Sequence, residues 1–188
     1  MSITKHVCSH YRFYLLHKPI EMLCSTKEHV AHLSRRHVYS CLAENNIPAT
    51  QKDGKKLGCV GRLDFLSSGA LLFTDNSNLA RLICSGSSSG GYKLAKTYHV
   101  VVLSRVSEVQ LDILRSPLVF DGVGRETLPA EVCIVSTRRD DSLLRGTPGW
   151  QITLEVKLRE GKYRQIRKLC RRSGLRVLTL HRVYLLSL

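Results

Sequence analysis

The 188-residue sequence contains no run of apolar residues long enough to cross a membrane, and its first residues lack the apolar segment of a secretory signal. A membrane-spanning helix needs about 20 apolar residues, and a signal peptide needs an apolar stretch of roughly 7 to 15 residues. Both absences argue against a membrane or secreted protein. We therefore expect an intracellular protein, in the cytoplasm, with an organelle or the nucleus as alternatives.

Paired cysteines are also missing. The seven cysteines are an odd number, none forms a Cys-x-x-Cys pair, and none stands at zinc-site spacing from a histidine. His29, His32 and His37 lack the glutamate of a His-Glu-x-x-His motif, so we interpret them as part of a solvated helix face. Most cysteines, such as Cys41 and Cys133, occupy apolar positions where a free thiol behaves as a small hydrophobic group. We expect a reducing compartment and no metal site.

Acidic residues are scarce relative to basic ones. The chain has 15 Asp and Glu against 29 Lys and Arg, which gives a formal net charge of +14. A field of this sign attracts polyanions, so nucleic acid is the expected partner and an anionic membrane surface is the weaker alternative. With 43% hydrophobic residues the chain is long enough for one full core, and we predict a single domain over residues 1–188.

The hydrophobic periodicity changes repeatedly between that of strands and that of helices. Ser107 and Gln110 have the spacing of a capping box, and Gly174 is typical of a helix C-terminus. The predicted strands cover residues 11–16, 71–74, 98–103, 130–136, 150–158 and 177–185, and a polar connection at residues 51–56 leads into residues 57–60. The predicted helices cover residues 30–42, 77–83, 107–115 and 163–173, and residues 85–91 and 137–148 are predicted loops. This mixture indicates an α+β domain.

Three short motifs place polar residues beside apolar strands or basic helices. Residues 61–64 (Gly-Arg-Leu-Asp) lead into the apolar segment 69–74, and residues 96–98 (Lys-Thr-Tyr) open a Val-rich strand. Residues 160–168 (Glu-Gly-Lys-Tyr-Arg-Gln-Ile-Arg-Lys) open a basic helix. Taken singly, each motif has a structural explanation: a turn with a capping aspartate, an aromatic residue packed in a strand, and a charged helix face. Their occurrence together, in this order, indicates a functional site.

The three motifs resemble those of the pseudouridine synthases, specifically the ribosomal branch known as the RsuA type. The signatures of that branch are Gly-Arg-Leu-Asp, Lys-x-Tyr and Glu-Gly-x-x-Arg-Gln-(Val/Ile)-Arg-(Arg/Lys), and the resemblance covers about residues 14–184. It implies an α+β catalytic fold, with a mixed, mostly antiparallel sheet and flanking helices. It also implies an isomerase that converts uridine in RNA, above all ribosomal RNA, to pseudouridine without a cofactor. We expect a monomer with no membrane partner.

The resemblance also implies the catalytic residues. Asp64 would be the nucleophile that captures the ribose covalently while the base turns. Tyr98 would stack on the target base, and its hydroxyl is a candidate for removing the C5 proton. Arg167 would bind the Asp64 carboxylate through its planar fork and orient it. Arg62 would help to hold the vacated stack after the base is extruded.

The last part of the chain is rich in basic residues, which we interpret as a phosphate-binding surface. Between residues 157 and 182 the basic residues, set against the single acid Glu160, are Lys157, Arg159, Lys162, Arg164, Arg167, Lys168, Arg171, Arg172, Arg176 and Arg182. The residues predicted to bind RNA are Arg62, Lys96, Lys162, Arg164, Lys168, Arg171 and Arg172. Each phosphate neutralised should change the log–log salt dependence of binding by about 0.7 to 0.9.

The sequence departs from the family pattern at several places. Leu66 replaces the usual Asp or Asn, and Ile20 and Glu21 replace the usual Lys-Gly. Residues 85–91 replace a segment that usually contains His-Pro. The small basic N-terminal domain of many members and a short last strand are also missing, so we expect a fragment or a divergent short form. Two alternatives remain: a tRNA-directed synthase, and a catalytically idle RNA-binding or ribosome-assembly module.

Overall fold

The computed structural model describes residues 2–8, 10–25, 35–50, 53–85, 94–120, 124–140 and 149–187. These residues group into two compact units, Met1–Tyr92 and Lys93–Leu188. The first unit contains β1 (Ile3–Cys8), β2 (Tyr11–Lys18), α1 (Val38–Glu44), β3 (Gly58–Val60), β4 (Ser68–Thr74) and α2 (Ser77–Ser85). The second contains β5 (Ala95–Leu103), α3 (Glu108–Arg115), β6 (Val119–Phe120), β7 (Arg125–Glu126), β8 (Glu131–Asp140), β9 (Gly149–Leu158), α4 (Gln165–Arg172) and β10 (Val177–Ser187). A single domain over residues 1–188 stays a prediction.

The first unit is built on antiparallel strands. β2 pairs with β1 and β4, and β3 also pairs with β4. Alternate residues of β2 and β4 are buried, as strands with one buried face require. Residues of these strands, of α1 and of two connecting segments form a core. Its members are Tyr14, Leu16, Met22, Val38, Cys41, Leu42, Leu57, Leu71 and Phe73. This core fixes the strands on either side of residues 61–67, the loop that joins β3 to β4.

The second unit is an antiparallel sheet in the order β10-β5-β9-β8. Its α3 helix contacts α4 and β8. Ser107 caps α3 as predicted, since its Oγ accepts from the Gln110 N–H and the Gln110 side chain accepts from the Ser107 N–H. Gly174 follows α4 with a φ of +70°, the left-handed conformation that glycine adopts readily. The buried residues Ile166 and Leu169 of α4 lie on one face of the helix.

The predicted strands and helices within the described residues are confirmed, with shifts at their ends. The helix predicted from residue 30 is described only from Val38 onwards, because residues 26–34 lie outside the described ranges. Most of the loop predicted at residues 85–91 also lies outside them. No helix in the described ranges is both long and apolar enough to span a membrane.

Three expectations about the strands were wrong. β1 precedes the strand expected to be the first, and its weak apolar pattern explains the omission, since Val7 is 63% exposed. β8 continues to Asp140, through residues expected to form a loop, because charged side chains such as Arg138 and Arg139 are exposed there. Cys133, expected at an apolar position, is exposed on β8.

Candidate active site

Asp64 lies in the loop of residues 61–67 in the first unit. Gly61 starts this loop with a φ of +72°, a conformation that costs glycine little. The Ser67 N–H donates to the Asp64 carbonyl oxygen at 3.0 Å, and the Leu63 N–H donates to Cys24 Sγ at 3.5 Å. Leu63 is buried, whereas Asp64 is half-buried. The loop is therefore held by hydrogen bonds from its backbone N–H groups, and these bonds do not involve the Asp64 carboxylate.

A further backbone bond joins the same loop to the segment after β2. The Glu21 N–H donates to the Phe65 carbonyl oxygen at 2.7 Å. Glu21 has a φ of +60°, which costs a residue other than glycine roughly 1 to 2 kcal/mol. Glu21, which replaces the family's usual glycine, thus has a backbone conformation that glycine would adopt at lower cost. Leu66, the departure within the loop, is 54% exposed, so its apolar side chain is not needed in the core. Arg62, beside Asp64 in sequence, is also exposed.

Tyr98 and Lys96 lie on β5 in the second unit. Tyr98 is opposite Arg182 of β10 and Val156 of β9, and it is 8% exposed. Lys96 is 7% exposed. The RNA-binding role of Lys96 stays a prediction.

Arg167 is a half-buried residue of α4, and two polar residues fix the segment that leads into this helix. The Gln165 side-chain amide donates to Glu160 Oε1 at 2.9 Å, and its Oε1 accepts from the Lys162 N–H at 3.0 Å. Glu160 Oε1 also accepts from the Leu128 N–H at 2.7 Å. Neither role was predicted from the sequence. The available signal was that Glu160 is the single acid in a basic stretch.

The predicted RNA-binding residues around α4 differ in exposure. Lys162, Arg164 and Arg171 are exposed, and Lys168 is half-buried with its Nζ 5.9 Å from the centre of the Tyr163 ring. Arg164 immediately precedes α4 with a φ of +53°. An arginine in this left-handed conformation marks a sharp turn at the helix N-terminus.

Arg172 has a structural partner set of its own. Its guanidinium donates to the carbonyl oxygens of Ile113, Ser116 and Pro117, at 2.7 Å for Ser116 and 2.6 Å for Pro117. These carbonyls lie at and just beyond the C-terminal end of α3, where a helix leaves carbonyl groups without intrahelical partners. A cation there also complements the helix dipole. RNA binding by Arg172 stays a prediction, and the geometry favours helix capping.

A shallow, open depression of about 350 Å³ lies beside Arg172. It is lined by Leu118, Val119, Lys168, Arg171 and Arg172. Cationic side chains next to an apolar wall suit the backbone of a nucleic acid, because phosphates bind the cations and the sugar contacts the apolar surface. Arg172 lines the same depression, but its guanidinium already donates to three carbonyl oxygens. Lys168 and Arg171 are therefore better placed than Arg172 to bind RNA.

We expect Arg172→Met to affect mainly stability and Arg171→Met to affect mainly RNA binding. Arg172→Met should lower the free energy of unfolding by about 1 to 2 kcal/mol, because three carbonyl groups lose a charged donor. Arg171→Met should lower it by less than about 0.5 kcal/mol, and should reduce the salt exponent of RNA binding by about 0.7 to 0.9. Urea denaturation and binding curves at several salt concentrations measure both. A reduced salt exponent with unchanged stability in Arg172→Met would return Arg172 to the phosphate surface.

Cys170 is the buried nucleophilic side chain nearest in sequence to Arg167. Burial raises the pKa of the Cys170 thiol to about 12, against the opposing effect of the Arg167 charge. The thiol therefore stays protonated at neutral pH and does not compete as a nucleophile. Within the described ranges, no three His, Cys, Asp or Glu side chains are grouped to hold a metal ion. His29 and His32 lie outside those ranges.

The structure thus locates Asp64 in the first unit and both Tyr98 and Arg167 in the second. Their joint action in one active site stays a prediction. Each of the three sits on a segment whose backbone is fixed by a strand, a helix or a hydrogen-bonded loop.

Comparison with known proteins agrees with the motifs. The family profile described as RNA pseudouridylate synthase matches residues 12–172, which include all three motifs. The ribosomal small subunit pseudouridine synthase A of Vibrio cholerae is 25% identical over 91% of this chain and 62% of its own length. An uncharacterized RNA pseudouridine synthase of Rickettsia bellii is 31% identical over 88% of this chain and 60% of its own. The chain spans 38 to 62% of the length of curated relatives it matches.

Solved structures confirm the predicted α+β fold with mostly antiparallel strands. The crystal structure of a pseudouridylate synthase has a TM-score of 0.68 at 22% identity, over 96% of this chain and 66% of that one. Human RNA pseudouridylate synthase domain containing 1 has a TM-score of 0.55 at 15% identity, over 96% of this chain and 76% of that one. Sequence and fold lead to the same family, and the chain belongs to the RNA pseudouridylate synthases.

Proposed function

We propose that this protein is an RNA pseudouridine synthase that isomerises uridine in ribosomal RNA with Asp64 as its nucleophile. The observation that carries the proposal is the family match over residues 12–172, within which the Gly-Arg-Leu-Asp motif forms a fixed loop. The backbone bond from the Ser67 N–H to the Asp64 carbonyl oxygen does not involve the Asp64 side chain, and we assign the covalent step to its carboxylate.

The proposed reaction needs no external reagent. Covalent capture of the ribose by the Asp64 carboxylate accompanies cleavage of the N1–C1′ bond, and the detached base then turns. C1′ then bonds to C5 as its bond to the Asp64 oxygen breaks, which frees the carboxylate, the C5 hydrogen leaves to water, and N1 takes a proton. Atoms and electrons balance within the nucleotide and solvent, so no cofactor takes part.

Two residues of the second unit complete the proposed site. The Tyr98 ring stacks on the target base, an interaction worth about 1 to 3 kcal/mol, and its hydroxyl removes the C5 proton. The Arg167 fork holds the Asp64 carboxylate with two parallel hydrogen bonds. Arg62, exposed beside the nucleophile, occupies the space left by the extruded base.

Charge supports RNA as the substrate. The net charge of +14 and the exposed side chains of Lys162, Arg164 and Arg171 suit a polyanion. The relative from Vibrio cholerae is named for the ribosomal small subunit, which favours ribosomal RNA over tRNA. On this proposal the protein acts as a monomer in the compartment where that RNA is made, the cytoplasm or an organelle.

Release of tritium from RNA labelled with [5-³H]uridine tests the proposed function. We expect the purified chain to release tritium to water from ribosomal RNA transcripts and not from tRNA transcripts. The tritium leaves only when C5 is substituted, so its release reports pseudouridine formation. Release from tRNA alone would identify the tRNA-directed alternative. Retained RNA binding without release from any transcript would identify an idle RNA-binding module.

A further inference from the structure

Arginine side chains surround Trp150 at one end of the sheet in the second unit. The Arg105 guanidinium lies over the Trp150 ring, with its central carbon 4.4 Å from the ring centre. Arg139 of β8 lies directly opposite Trp150 of β9. Side chains at opposite positions of an antiparallel pair project to the same face, so Arg139 and Trp150 share one face of the sheet. Both arginines are exposed, and Trp150 is half-buried.

Two more exposed arginines belong to the same end of this sheet. Gln151 of β9 lies opposite Arg138 of β8 on one side and opposite Leu103, the last residue of β5, on the other. The Leu103 N–H donates to the Arg176 carbonyl oxygen at 3.1 Å, which places Arg176 beside the end of β5. We define the Trp150 cluster as Arg105, Arg138, Arg139, Trp150 and Arg176.

Acidic residues are scarce around the Trp150 cluster. β5 and β10 contain no acidic residue, and β9 has none between Gly149 and Thr153. β8 contributes Asp140 as its last residue, and Glu108 at the start of α3 lies 4.0 Å from the Arg115 guanidinium. Four arginines thus exceed the acids that these strands contribute at this end, and the local charge is positive.

Contact with the Trp150 ring prepares Arg105 to bind a phosphate. A guanidinium is attracted to an aromatic face, and this attraction restricts where the long Arg105 side chain lies. The N–H groups of a guanidinium point outward in its plane, so its edge can still donate two parallel hydrogen bonds to a phosphate. Among the described residues, no side chain or carbonyl group forms a hydrogen bond or an ion pair with the Arg105 guanidinium. Arg105 therefore differs from Arg172, whose donors are used by carbonyl oxygens.

We propose that the Trp150 cluster is a second RNA-binding surface, which holds the phosphate backbone of the substrate RNA away from the target uridine. Tyr98, the proposed stacking residue, and Leu103 are five positions apart on β5. At roughly 3.3 Å per residue this separation is about 17 Å, so the cluster contacts a part of the RNA other than the target nucleotide. Phosphate contacts set affinity and position rather than chemistry. The inference rests on the proposed function, because it takes RNA as the substrate.

Arg105→Gln tests the inference, because glutamine keeps a polar side chain and removes the charge. We expect the salt exponent of binding to a ribosomal transcript to fall by about 0.7 to 0.9, the value for one phosphate contact. The ratio of its Kd to that of the unaltered protein should therefore be about threefold larger at about 50 mM salt than at about 200 mM. The single-turnover rate at saturating RNA should stay within about twofold, because the lost contact is the same in the bound RNA and in the transition state.

Arg81 provides a matched control for net charge. It is an exposed arginine of α2 in the first unit, and Arg81→Gln removes the same charge from the same residue type. We expect its salt exponent and its Kd to equal those of the unaltered protein. A difference between Arg105→Gln and Arg81→Gln therefore reports a local contact and not the total charge.

Substitutions of Trp150 test the part played by the ring. Trp150→Leu removes the aromatic face beneath Arg105, so its Kd should rise about as much as that of Arg105→Gln. The double variant should bind no more weakly than the weaker single variant, because both changes remove the same contact. Trp150→Phe keeps an aromatic face and should bind like the unaltered protein. If Trp150→Leu does not fold, Trp150→Phe and Arg105→Gln, whose melting temperatures are measured alongside, carry the test.

Three results would overturn the second surface. They are an unchanged salt exponent in Arg105→Gln, equal effects of Arg105→Gln and Arg81→Gln, and a large loss of rate in Arg105→Gln at saturating RNA. RNA binding is measured without turnover, so its outcome is independent of catalysis. An unaltered protein that binds the transcript and releases no tritium contradicts the proposed function, and the salt exponents still decide the role of the cluster.

Discussion

Asp64→Ala should abolish pseudouridine formation, with a loss of at least about four orders of magnitude in the single-turnover rate. The proposed covalent step has a single nucleophile, and a methyl group cannot replace a carboxylate. The Kd for RNA should change by no more than a few-fold, because the exposed basic side chains around α4 are the proposed source of affinity. Tritium release and filter binding on the same ribosomal transcript measure the two quantities.

Asp64→Asn is the matched control for shape. Asparagine occupies the same volume, and the backbone bond from the Ser67 N–H to residue 64 does not involve the side chain. We therefore expect Asp64→Asn to be as inactive as Asp64→Ala, with the backbone of its loop retained. Tritium release at the parent rate by either variant would end the assignment of Asp64 as the nucleophile.

The sequence was sufficient for most elements because their signals are local. The capping box at Ser107 predicted the start of α3, and alternating apolar residues predicted β9 from residue 150 to 158. β1 was missed because an exposed strand shows little apolar alternation. Local pattern therefore predicts buried elements better than exposed ones.

The site was predicted in part, and what was missed depends on contacts between residues distant in sequence. The motifs predicted Asp64, Tyr98 and Arg167 as site residues, which stays a prediction. Nothing local indicated that Lys18 would reach the Ser67 carbonyl, 49 positions further on. Likewise, the count of basic residues gave Arg172 the same role as Arg171, although Arg172 is bound to carbonyls at the end of α3. Sequence patterns identify which residue types are available. Their hydrogen-bond partners are set by the fold.

Arg167→Lys should be far more damaging than Arg171→Lys, although both changes keep the charge. In the proposed site, the planar fork of Arg167 binds the Asp64 carboxylate bidentately, and a lysine ammonium cannot reproduce that geometry. We expect a loss of about a hundredfold or more in the single-turnover rate, since misplacing a reacting group by about 1 Å has that effect. At the exposed Arg171, a lysine still neutralises a phosphate as a point charge, so the rate should change by less than about threefold.

Single-turnover rates and RNA binding at two salt concentrations distinguish geometry from charge in this pair. Both residues lie on α4, whose start is held by the bonds between Gln165 and Glu160, so neither substitution should unfold the helix. The expected result is a rate defect in Arg167→Lys that salt does not change. The proposed pair of the Arg167 guanidinium and the Asp64 carboxylate acts through its geometry, which salt does not alter. Equal, small losses for the two variants would instead make Arg167 one more member of the phosphate-binding surface. In that case another cation would have to orient Asp64.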